Sequence, residues 1–416
     1  MLVLASEAHS AAFMLQQQGT KGSGRAFAGE AAVAEDASTI FSNPAGLTEL
    51  KGPEFLVGAY VMAPNAEISN RGSTASVLAG PYNTFTGSAD QGFDPQAFGH
   101  AYIAAPVNDK AWVGLGITVP FGLAVHYDPD FFGRYDTTRA SVRTIDIAPT
   151  FAYQIHPRIS IGGGVDLQYA EAKLANALPN PFDPSGRPTP STDGLFTVEG
   201  SDWTLGFNAG VLFKPTENLR VGLTYRSAMS HTIEGDATTE FNGSKTVQGM
   251  STDLNLPDTI SLGAAYMLTP NLTLLGQINR YGWSRFEEIR LKLADGTQPT
   301  TVEDYRDTWG LSIGAQYRLT PALTLRGGMM YDQTPTRDVS RSTAIPDVDR
   351  LWAAVGASYS FAENIALDLS YEHLFARDAP INRTNDFTST LGTIVRTTGT
   401  TETSSDVIGL SLRIQF

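Results

Sequence analysis

The residues Tyr317-Arg318-Leu319-Thr320-Pro321-Ala322-Leu323-Thr324-Leu325 form one copy of a turn that recurs along the chain. Related copies are Tyr153-Gln154-Ile155-His156-Pro157-Arg158-Ile159-Ser160-Ile161 and Tyr266-Met267-Leu268-Thr269-Pro270-Asn271-Leu272-Thr273-Leu274, and residues 359–367 repeat the pattern without the proline. The flanking segments alternate between apolar and polar residues, which is the pattern of a strand with one apolar face. The final segment, Leu410 to Phe416, alternates in the same way. The repeat therefore predicts a series of tight antiparallel hairpins.

At their other ends the predicted hairpins are joined by long polar segments. These are residues 70–94, 127–142, 176–200, 237–253, 291–303, 339–348 and 378–403. Short turns at one end of a sheet and long loops at the other are typical of outer-membrane barrels. Fourteen alternating segments fit between the loops, and an even number places both termini on the short-turn side. The sequence thus predicts an all-β protein, with a 14-stranded antiparallel transmembrane β-barrel over residues 51–416.

Composition excludes several other classes of protein. The chain has 29 Lys and Arg against 43 Asp and Glu in 416 residues, so it lacks the basic balance of a nucleic-acid binder. Its sequence has no run of roughly 18 apolar residues, the length that a transmembrane helix needs. With no cysteine there is no disulfide, zinc-thiolate site or cysteine nucleophile. The remaining interpretation is a glycine-rich and aromatic-rich β-protein.

The N-terminal region differs from the rest of the chain in composition and in hydrophobic pattern. Residues 11–50 are rich in glycine and alanine and do not alternate, as in Gly24 to Ala37. So short a unit cannot bury its own core and must pack inside a host. We therefore predict that residues 11–50 form a small hatch in the lumen of the barrel. Residues 1–10 are interpreted as a residual signal peptide, the alternative being a frayed N-terminus.

Several segments together resemble the FadL/TodX family of outer-membrane transporters for long-chain fatty acids and other hydrophobic compounds. The similarity begins with Gly24 to Ala31 and with the Asn43-Pro44-Ala45-Gly46 segment. It continues in family order with Tyr225-Arg226-Ser227, Leu256-Pro257-Asp258, Trp283-Ser284-x-Phe286, Tyr331 to Pro335, Ile345 to Arg350 and Tyr371 to Phe375. The resemblance implies a 14-stranded barrel plugged by an N-terminal hatch, which is the architecture that the hairpins predict. It also implies a transporter rather than an enzyme.

The resemblance further implies a route for the ligand. An apolar molecule is captured in an extracellular groove, enters an internal pocket, and leaves sideways through a kink in the third strand after the hatch moves. The candidate kink is Pro120-Phe121-Gly122, because proline removes a ladder hydrogen bond and glycine tolerates a bend. The alternative is that Pro120 ends the strand.

Two other candidate segments each carry an alternative. Asn43, Pro44, Ala45 and Gly46 match the family's hatch where it meets the ligand pocket, which implies a gating role; an ordinary turn is the alternative. The candidates for the capture groove are Leu178 and Phe182, which interrupt a polar loop together with Pro179 and Pro181 between them. A loop that packs on itself is the alternative there.

A carboxylate ligand is best matched by an arginine that faces the lumen. Alternation places Arg226 and Arg326 on the polar faces of their strands. Asp166, Asp368, Glu372 and Arg413 share that facing. An internal ion-pair network is therefore the other interpretation of the two arginines.

Rival functions make different demands on the sequence. A general diffusion porin for small polar solutes is the main alternative, but it needs no plug of forty residues. A lipase is not indicated, because the six histidines show no nucleophile pattern and no metal-ligand spacing. We expect no enzymatic activity, metal or cofactor. The expected partners are a hydrophobic ligand, the lipid and lipopolysaccharide of a Gram-negative outer membrane, and the assembly machinery that reads the terminal Phe416. We expect no nucleic-acid partner. The protein is expected to be a monomer.

Overall fold

A closed antiparallel sheet dominates the computed structural model, which describes residues 12–78, 80–85, 87–183 and 188–416. The first and last long strands pair along the barrel, from Glu54 opposite Gln415 to Asn70 opposite Gly399. This pairing of the first and last strands closes the sheet into a barrel, as a lipid environment requires. The predicted signal peptide, residues 1–10, lies outside the described residues.

Fourteen barrel strands follow one another in chain order, and four of them are interrupted. They are β1 Glu54–Asn70, β2 Gln96–Pro106, β3 Ala111–Thr118 with Gly122–His126, β4 Arg139–His156, β5 Ile159–Leu178, β6 Gly194–Phe213, β7 Leu219–Arg226 with Met229–Phe241, β8 Ser244–Leu256 with Thr259–Thr269, β9 Leu272–Tyr281, β10 Thr308–Arg318, β11 Leu323–Asp332, β12 Arg350–Ala362, β13 Ile365–Ala376 with Ala379–Phe387, and β14 Thr393–Gln415. The prediction of a 14-stranded antiparallel barrel is confirmed.

The remaining elements are short. The helices are α1 Thr20–Ser23, α2 Glu30–Val33, α3 Thr39–Ser42 and α4 Thr388–Leu391, and 3-10 turns span Pro44–Glu49 and Trp283–Arg285. Small strands in the loops are Thr74–Val77, Asn83–Thr84, Glu288–Arg290, Lys292–Leu293 and Thr300–Val302. None of the helices in the described ranges has the length and apolarity to cross a membrane.

Apolar side chains cover the outside of the barrel. On β1, Val57 and Val61 are exposed, whereas Tyr60 and Met62 between and beside them are buried toward the lumen. The same alternation recurs around the wall, because successive side chains of a strand point to opposite faces. The exposed apolar face is the surface that lipid covers.

Two of the predicted loops are in fact strands. Residues 237–253 were expected to be a loop, but β7 and β8 pair from Met229 opposite Leu256 to Phe241 opposite Ser244. The turn between them is Asn242-Gly243, both with positive φ, of 51° and 77°. Asn-Gly is the preferred pair for such a two-residue hairpin, so polarity was a misleading signal here. Residues 378–403 likewise form a hairpin that extends β13 and β14.

The N-terminal segment lies inside the ring of strands. Its elements contact opposite sides of the wall: α2 packs on β7 and β8, the 3-10 turn Pro44–Glu49 on β4, β5 and β6, and α1 on β12 and β13. It also reaches β2, since the Tyr102 hydroxyl donates to the Gln18 carbonyl over 2.6 Å. Almost every residue from Ala12 to Gly46 is buried or half-buried. The segment therefore occupies the interior, and its action as a movable hatch stays a prediction.

Candidate ligand route through the barrel

An apolar cluster fills the interior on the side of the long loops. Its centre is Phe13, whose ring centroid lies 5.1 Å from Trp283, 5.7 Å from Phe286 and 6.1 Å from Phe121. Seven strands add buried side chains, namely Ile68, Leu123, Val142, Ala170, Val198, Met229 and Leu254. A concave apolar and aromatic lining of this kind is what a hydrophobic ligand needs. Sequence reasoning missed Phe13, although Trp283 and Phe286 lie in a segment that carried the resemblance.

Hydrogen bonds with one side chain and with the β3 backbone hold Phe13 and its neighbours between this cluster and β3. The Ala12 amide donates to Asp347 Oδ2 over 2.9 Å. The Leu15 amide donates to the Pro120 carbonyl, and the Gly122 amide donates to the Phe13 carbonyl, each over 2.8 Å. The first described residues thus lie directly against the predicted kink.

Strand β3 contains one residue more than its neighbour at this kink. Thr118 pairs with Asp146 and Gly122 with Arg143, so four steps along β3 match three along β4. The facing of the strand reverses as a result: Ile117 faces lipid before the break, and Leu123 is buried after it. An extra residue of this kind is a β-bulge, which bends a strand and disrupts its ladder. The strand does not end at Pro120, because it resumes at Gly122.

The break opens the wall between β2 and β3. These strands pair only from Ala101 opposite Ile117 to Pro106 opposite Trp112. Beyond the break, Gly122–His126 pairs with β4 alone. The Gln96–His100 segment of β2, which is fully described, therefore has no ladder partner on the β3 side. Phe121, at the break, belongs to the apolar cluster.

The Asn43-Pro44-Ala45-Gly46 segment is seated on the opposite wall. Asn43 Nδ2 donates to the Ala31 carbonyl over 2.7 Å and to the Val211 carbonyl of β6 over 3.1 Å. Asn43 Oδ1 accepts from the Ala45 amide over 3.1 Å. These bonds cap the following 3-10 turn and fasten it to the barrel, so an ordinary turn and a gate remain compatible with the geometry.

Three glycines on adjacent strands make room for this segment. A Cβ atom added at Gly222 of β7 would lie 1.8 Å from the Ala31 carbonyl oxygen. At Gly210 of β6 it would lie 2.1 Å from Asn43 Oδ1, and at Gly162 of β5 it would lie 2.5 Å from the Ala45 nitrogen. The wall therefore presents bare backbone where the segment approaches most closely. Sequence reasoning missed this seat; its signal was glycine at lumen-facing positions of neighbouring strands.

Both candidate arginines are engaged by protein groups. Arg226 pairs with Asp166 over 2.8 Å and with Asp146 over 3.3 Å, and its guanidinium lies 4.3 Å from the Phe41 ring centroid. Arg326 donates to Ser358 Oγ over 2.6 Å, and Ser358 in turn donates to Asp368.

The remaining members of the expected internal network also have partners. Gln17 Nε2 donates to Glu372 over 2.8 Å, and Arg413 lies 3.7 Å from Glu54. Burying a charge is costly unless it is paired. Among the described residues Arg413 has such a charged partner, whereas the partner of Glu372 is a neutral amide. A ligand that used Arg226 or Arg326 would have to replace a carboxylate.

The candidate groove residues lie at the end of β5 and just beyond it. Leu178 is half-buried and ends the strand, whereas the Phe182 side chain is 76% exposed. The Phe182 amide donates to Asn180 Oδ1 over 3.0 Å, which shapes the turn that presents the ring. Pro181, between them, is buried. The structure thus leaves the Phe182 ring open to solvent on the long-loop side.

Ion pairs also attach the hatch to the wall of the barrel. Glu35 pairs with Arg25 over 2.8 Å and with Arg326 of β11 over 3.6 Å. Burial alone would raise the pKa of Glu35, but the Arg326 and Arg25 guanidinium groups hold that pKa well below its usual range. The carboxylate therefore stays charged and keeps the hatch attached to the barrel.

The loops around Asp136, Glu303 and Ser340 form a cap over the apolar cluster, to which they contribute Phe131, Tyr305 and Ile345. Glu303 is a buried acid in this cap. Glu303 Oε1 accepts from Arg383 over 3.4 Å, and Arg383 also donates to Asp136 over 3.3 Å and to the Ser340 carbonyl over 2.7 Å. These contacts join three loop segments, around Asp136, Glu303 and Ser340, to strand β13. Burial raises the pKa of Glu303 to about 8, against the opposing effect of Arg383.

This shifted pKa predicts that the cap weakens as pH rises. Below the ordinary pKa of about 4.5 the group is protonated whether folded or unfolded, and between there and about 8 only the folded state holds the proton. Stability should thus fall across that window. Glu303→Gln should melt like the wild type at pH 4 and be more stable at pH 9, by on the order of 1 kcal/mol. Melting curves in detergent test this, with exposed Glu287→Gln as the control; identical curves for wild type and Glu303→Gln at pH 9 would contradict it.

Fold and interior together define the class: an outer-membrane β-barrel whose lumen is filled by its own N-terminal segment. The family model for outer membrane protein transport proteins (OMPP1/FadL/TodX) matches residues 1–416. The chain belongs to the FadL/TodX family. It is a transporter of the Gram-negative outer membrane and not an enzyme.

Individual relatives agree with this assignment. The chain is 30% identical to outer membrane protein P1 of Haemophilus influenzae, covering 100% of this chain and 97% of that protein. It is 29% identical to a long-chain fatty acid transport protein of Escherichia coli, over 89% of each.

Solved structures share the fold. A Pseudomonas aeruginosa FadL homologue superposes with a TM-score of 0.87 at 23% identity, covering 98% of this chain and 100% of that one. The Ralstonia pickettii toluene transporter TbuX gives a TM-score of 0.70 at 18% identity, covering 96% and 98% of the two chains.

Proposed function

We propose that this protein carries long-chain fatty acids or related hydrophobic compounds through the outer membrane and releases them sideways into the lipid. The observation that carries the proposal is the contact between the apolar cluster and the break in β3. Phe121 belongs to both, so an apolar molecule in the cluster lies beside the unpaired stretch of wall. The proposed exit runs through the gap beside Pro120, Phe121 and Gly122.

A sideways exit follows from the energetics of an apolar cargo. Leaving an apolar site for water costs roughly 0.8 kcal/mol for every CH₂ group exposed. A long acyl chain would therefore be held in the barrel if its only exit were aqueous. A gap that opens on the hydrocarbon region lets the chain move from protein to lipid with its apolar surface covered throughout.

The proposed mechanism requires the N-terminal segment to move. Phe13 occupies the centre of the apolar cluster, so a ligand competes with it for the same contacts. Once Phe13 leaves, the hydrogen bonds of Leu15 and Gly122 across the β3 break are lost as well. We propose that Asn43 to Gly46 act as the fixed end of this hatch and transmit the rearrangement.

Capture and recognition complete the proposal. Exposed Phe182 and neighbouring Leu178 form the first apolar contact on the long-loop side. We assign Arg226 and Arg326 to the lumenal ion-pair network, because Arg226 is paired with Asp166 and Arg326 with Glu35. The ligand is then recognised mainly by its apolar body. The protein acts as a monomer in a lipopolysaccharide-containing membrane, after insertion by the assembly machinery.

Mass spectrometry of lipids that co-purify with the detergent-extracted protein tests this function. We expect a fatty acid or another hydrophobic compound in stoichiometric amount, and its loss when Phe121 is replaced by aspartate. Phe361→Asp, on the lipid-facing surface away from the cluster, is the control and should keep the ligand. A protein without bound hydrophobic compound that conducts small polar solutes freely would instead favour a diffusion porin.

A further inference from the structure

A second interruption of the wall lies between β6 and β7. The two strands pair from Val221 opposite Phe213 to Arg226 opposite Asn208, and pair again from Glu234 opposite Ser201. Between these two ladders, residues 202–207 of β6 face residues 227–233 of β7. Strand β7 therefore has one residue more than β6 over this interval, the same surplus that β3 has over β4.

The facing of β7 reverses across this interval, as it does in β3. Gly222 and Thr224 are buried before it, at even positions, whereas Met229, His231 and Ile233 are buried after it, at odd positions. The reversal marks a one-residue bulge. Here no proline signals it, because the connecting residues are Ser227 and Ala228.

Other hydrogen bonds replace part of the missing ladder. The Ser227 amide donates to the Phe207 carbonyl, and the Phe207 amide donates to Ser227 Oγ, each over 2.9 Å. Thr204 Oγ1 donates to the Ser230 carbonyl over 3.0 Å, and the Thr232 amide donates to Asp202 Oδ2 over 3.2 Å. The Met229 side chain fills the space opposite Gly206, where an added Cβ would lie 2.5 Å from both Met229 Sδ and Cε. Backbone exposed to lipid is costly unless its polar groups are paired, so a window of this kind is retained at an energetic disadvantage.

The window separates lipid from the apolar cluster. On the outside, Trp203, Leu205 and Phe207 of β6 are exposed. On the inside, Met229 is buried and belongs to the same cluster as Phe121. Methionine is flexible and adapts to irregular spaces, so it is a suitable movable filler.

We propose that the window between β6 and β7 is a second lateral portal for hydrophobic ligands, with Met229 as its plug. The proposal rests on the proposed function and adds a second exit to it. Both exits lead from the same apolar cluster into lipid. Each lies at a strand that has one residue more than its neighbour. When the β3 gap is closed, ligand leaves through the β6–β7 window.

A disulfide across the window tests the proposal in a chain that has no native cysteine. Trp203→Cys and Thr232→Cys, which continue the register of Ser201 opposite Glu234 and both face outward, are introduced together into a variant whose β3 gap has been closed by deletion of Pro120. The matched control is Val211→Cys with Leu223→Cys, which are ladder partners on the same two strands below the window. Uptake of labelled oleate and of labelled toluene is measured in cells, with and without reductant.

We expect residual uptake in the Pro120-deleted protein that the window disulfide abolishes, that reductant restores, and that the control disulfide leaves unchanged. Met229→Trp should block the same residual uptake without any cross-link. Absence of residual uptake, or residual uptake insensitive to both the window disulfide and Met229→Trp, would overturn the second portal while leaving the first intact. No uptake by the wild-type protein would instead contradict the proposed function itself.

Discussion

Deletion of Pro120 is expected to close the lateral gap and to reduce uptake of hydrophobic compounds to the small flow that a second portal carries. The reason is the count of residues at the break. With one residue removed, Thr118 and Gly122 are separated by three residue positions along β3. Their partners on β4, Asp146 and Arg143, have the same separation. The alternation also becomes continuous, with Leu123 still facing inward. The second half of β3 can then pair with Gln96–His100 of β2, and the wall closes.

The matched control for this deletion is Pro120→Ala. That substitution restores a backbone donor but keeps the extra residue, so the bulge, the reversed facing and the gap should persist. Uptake by Pro120→Ala should therefore stay near the wild-type rate. Uptake of labelled oleate in a deletion strain measures both variants, and heat-modifiability on gels confirms that each barrel is assembled. Wild-type uptake by a correctly assembled Pro120 deletion would contradict lateral exit at β3.

Replacement of Gly222 by valine is expected to unseat the hatch. The new Cβ atom would lie 1.8 Å from the Ala31 carbonyl and 2.9 Å from Asn43 Nδ2, so α2 and the Asn43 side chain cannot keep their positions. The barrel itself should tolerate the change, since valine suits a strand. We expect a loss of about 1–3 kcal/mol in stability, typical of overpacking, and a lumen that leaks small ions.

Conductance in planar bilayers measures the effect of Gly222→Val. The matched control is Gly276→Val on β9, where the nearest atom to an added Cβ is 3.9 Å away. The control should show the low conductance and the melting temperature of the wild type. If Gly222→Val matched the control in both measurements, the close seat of the hatch on β7 would have no role in sealing the lumen.

Local patterns predicted the barrel well. The repeated turn around Pro321 and the alternation of Leu410 to Phe416 reflect contacts between residues close in sequence, so the hairpins and the strand number could be derived. The loop predicted at 237–253 was wrong because its residues are polar on both faces, as suits strands that extend beyond the membrane. The Asn242-Gly243 turn was the better signal.

The route could be predicted only in part. Pro120 and Gly122 marked the β3 break, since these residue types disturb a ladder wherever they occur. The β7 break at Ser227 and Ala228 carries no such residue, and only the change of facing after it reveals the bulge. The position of Phe13 among the aromatic rings, and the seat of Asn43 on Gly210, depend on contacts between residues far apart in the chain. Such contacts leave no local pattern in one sequence.

Photolabelling with a diazirine-bearing fatty acid tests the central claim, that a hydrophobic ligand passes from the interior cluster into lipid through the wall. The labelled protein is digested and the modified residues are mapped, with excess unlabelled fatty acid as competitor to separate specific sites from lipid-facing background. The account predicts competable label on Phe121 and Leu123 at the β3 gap. Competable label confined to residues of the short-turn end, such as Glu49 and Lys51, with none at the gap, would contradict it.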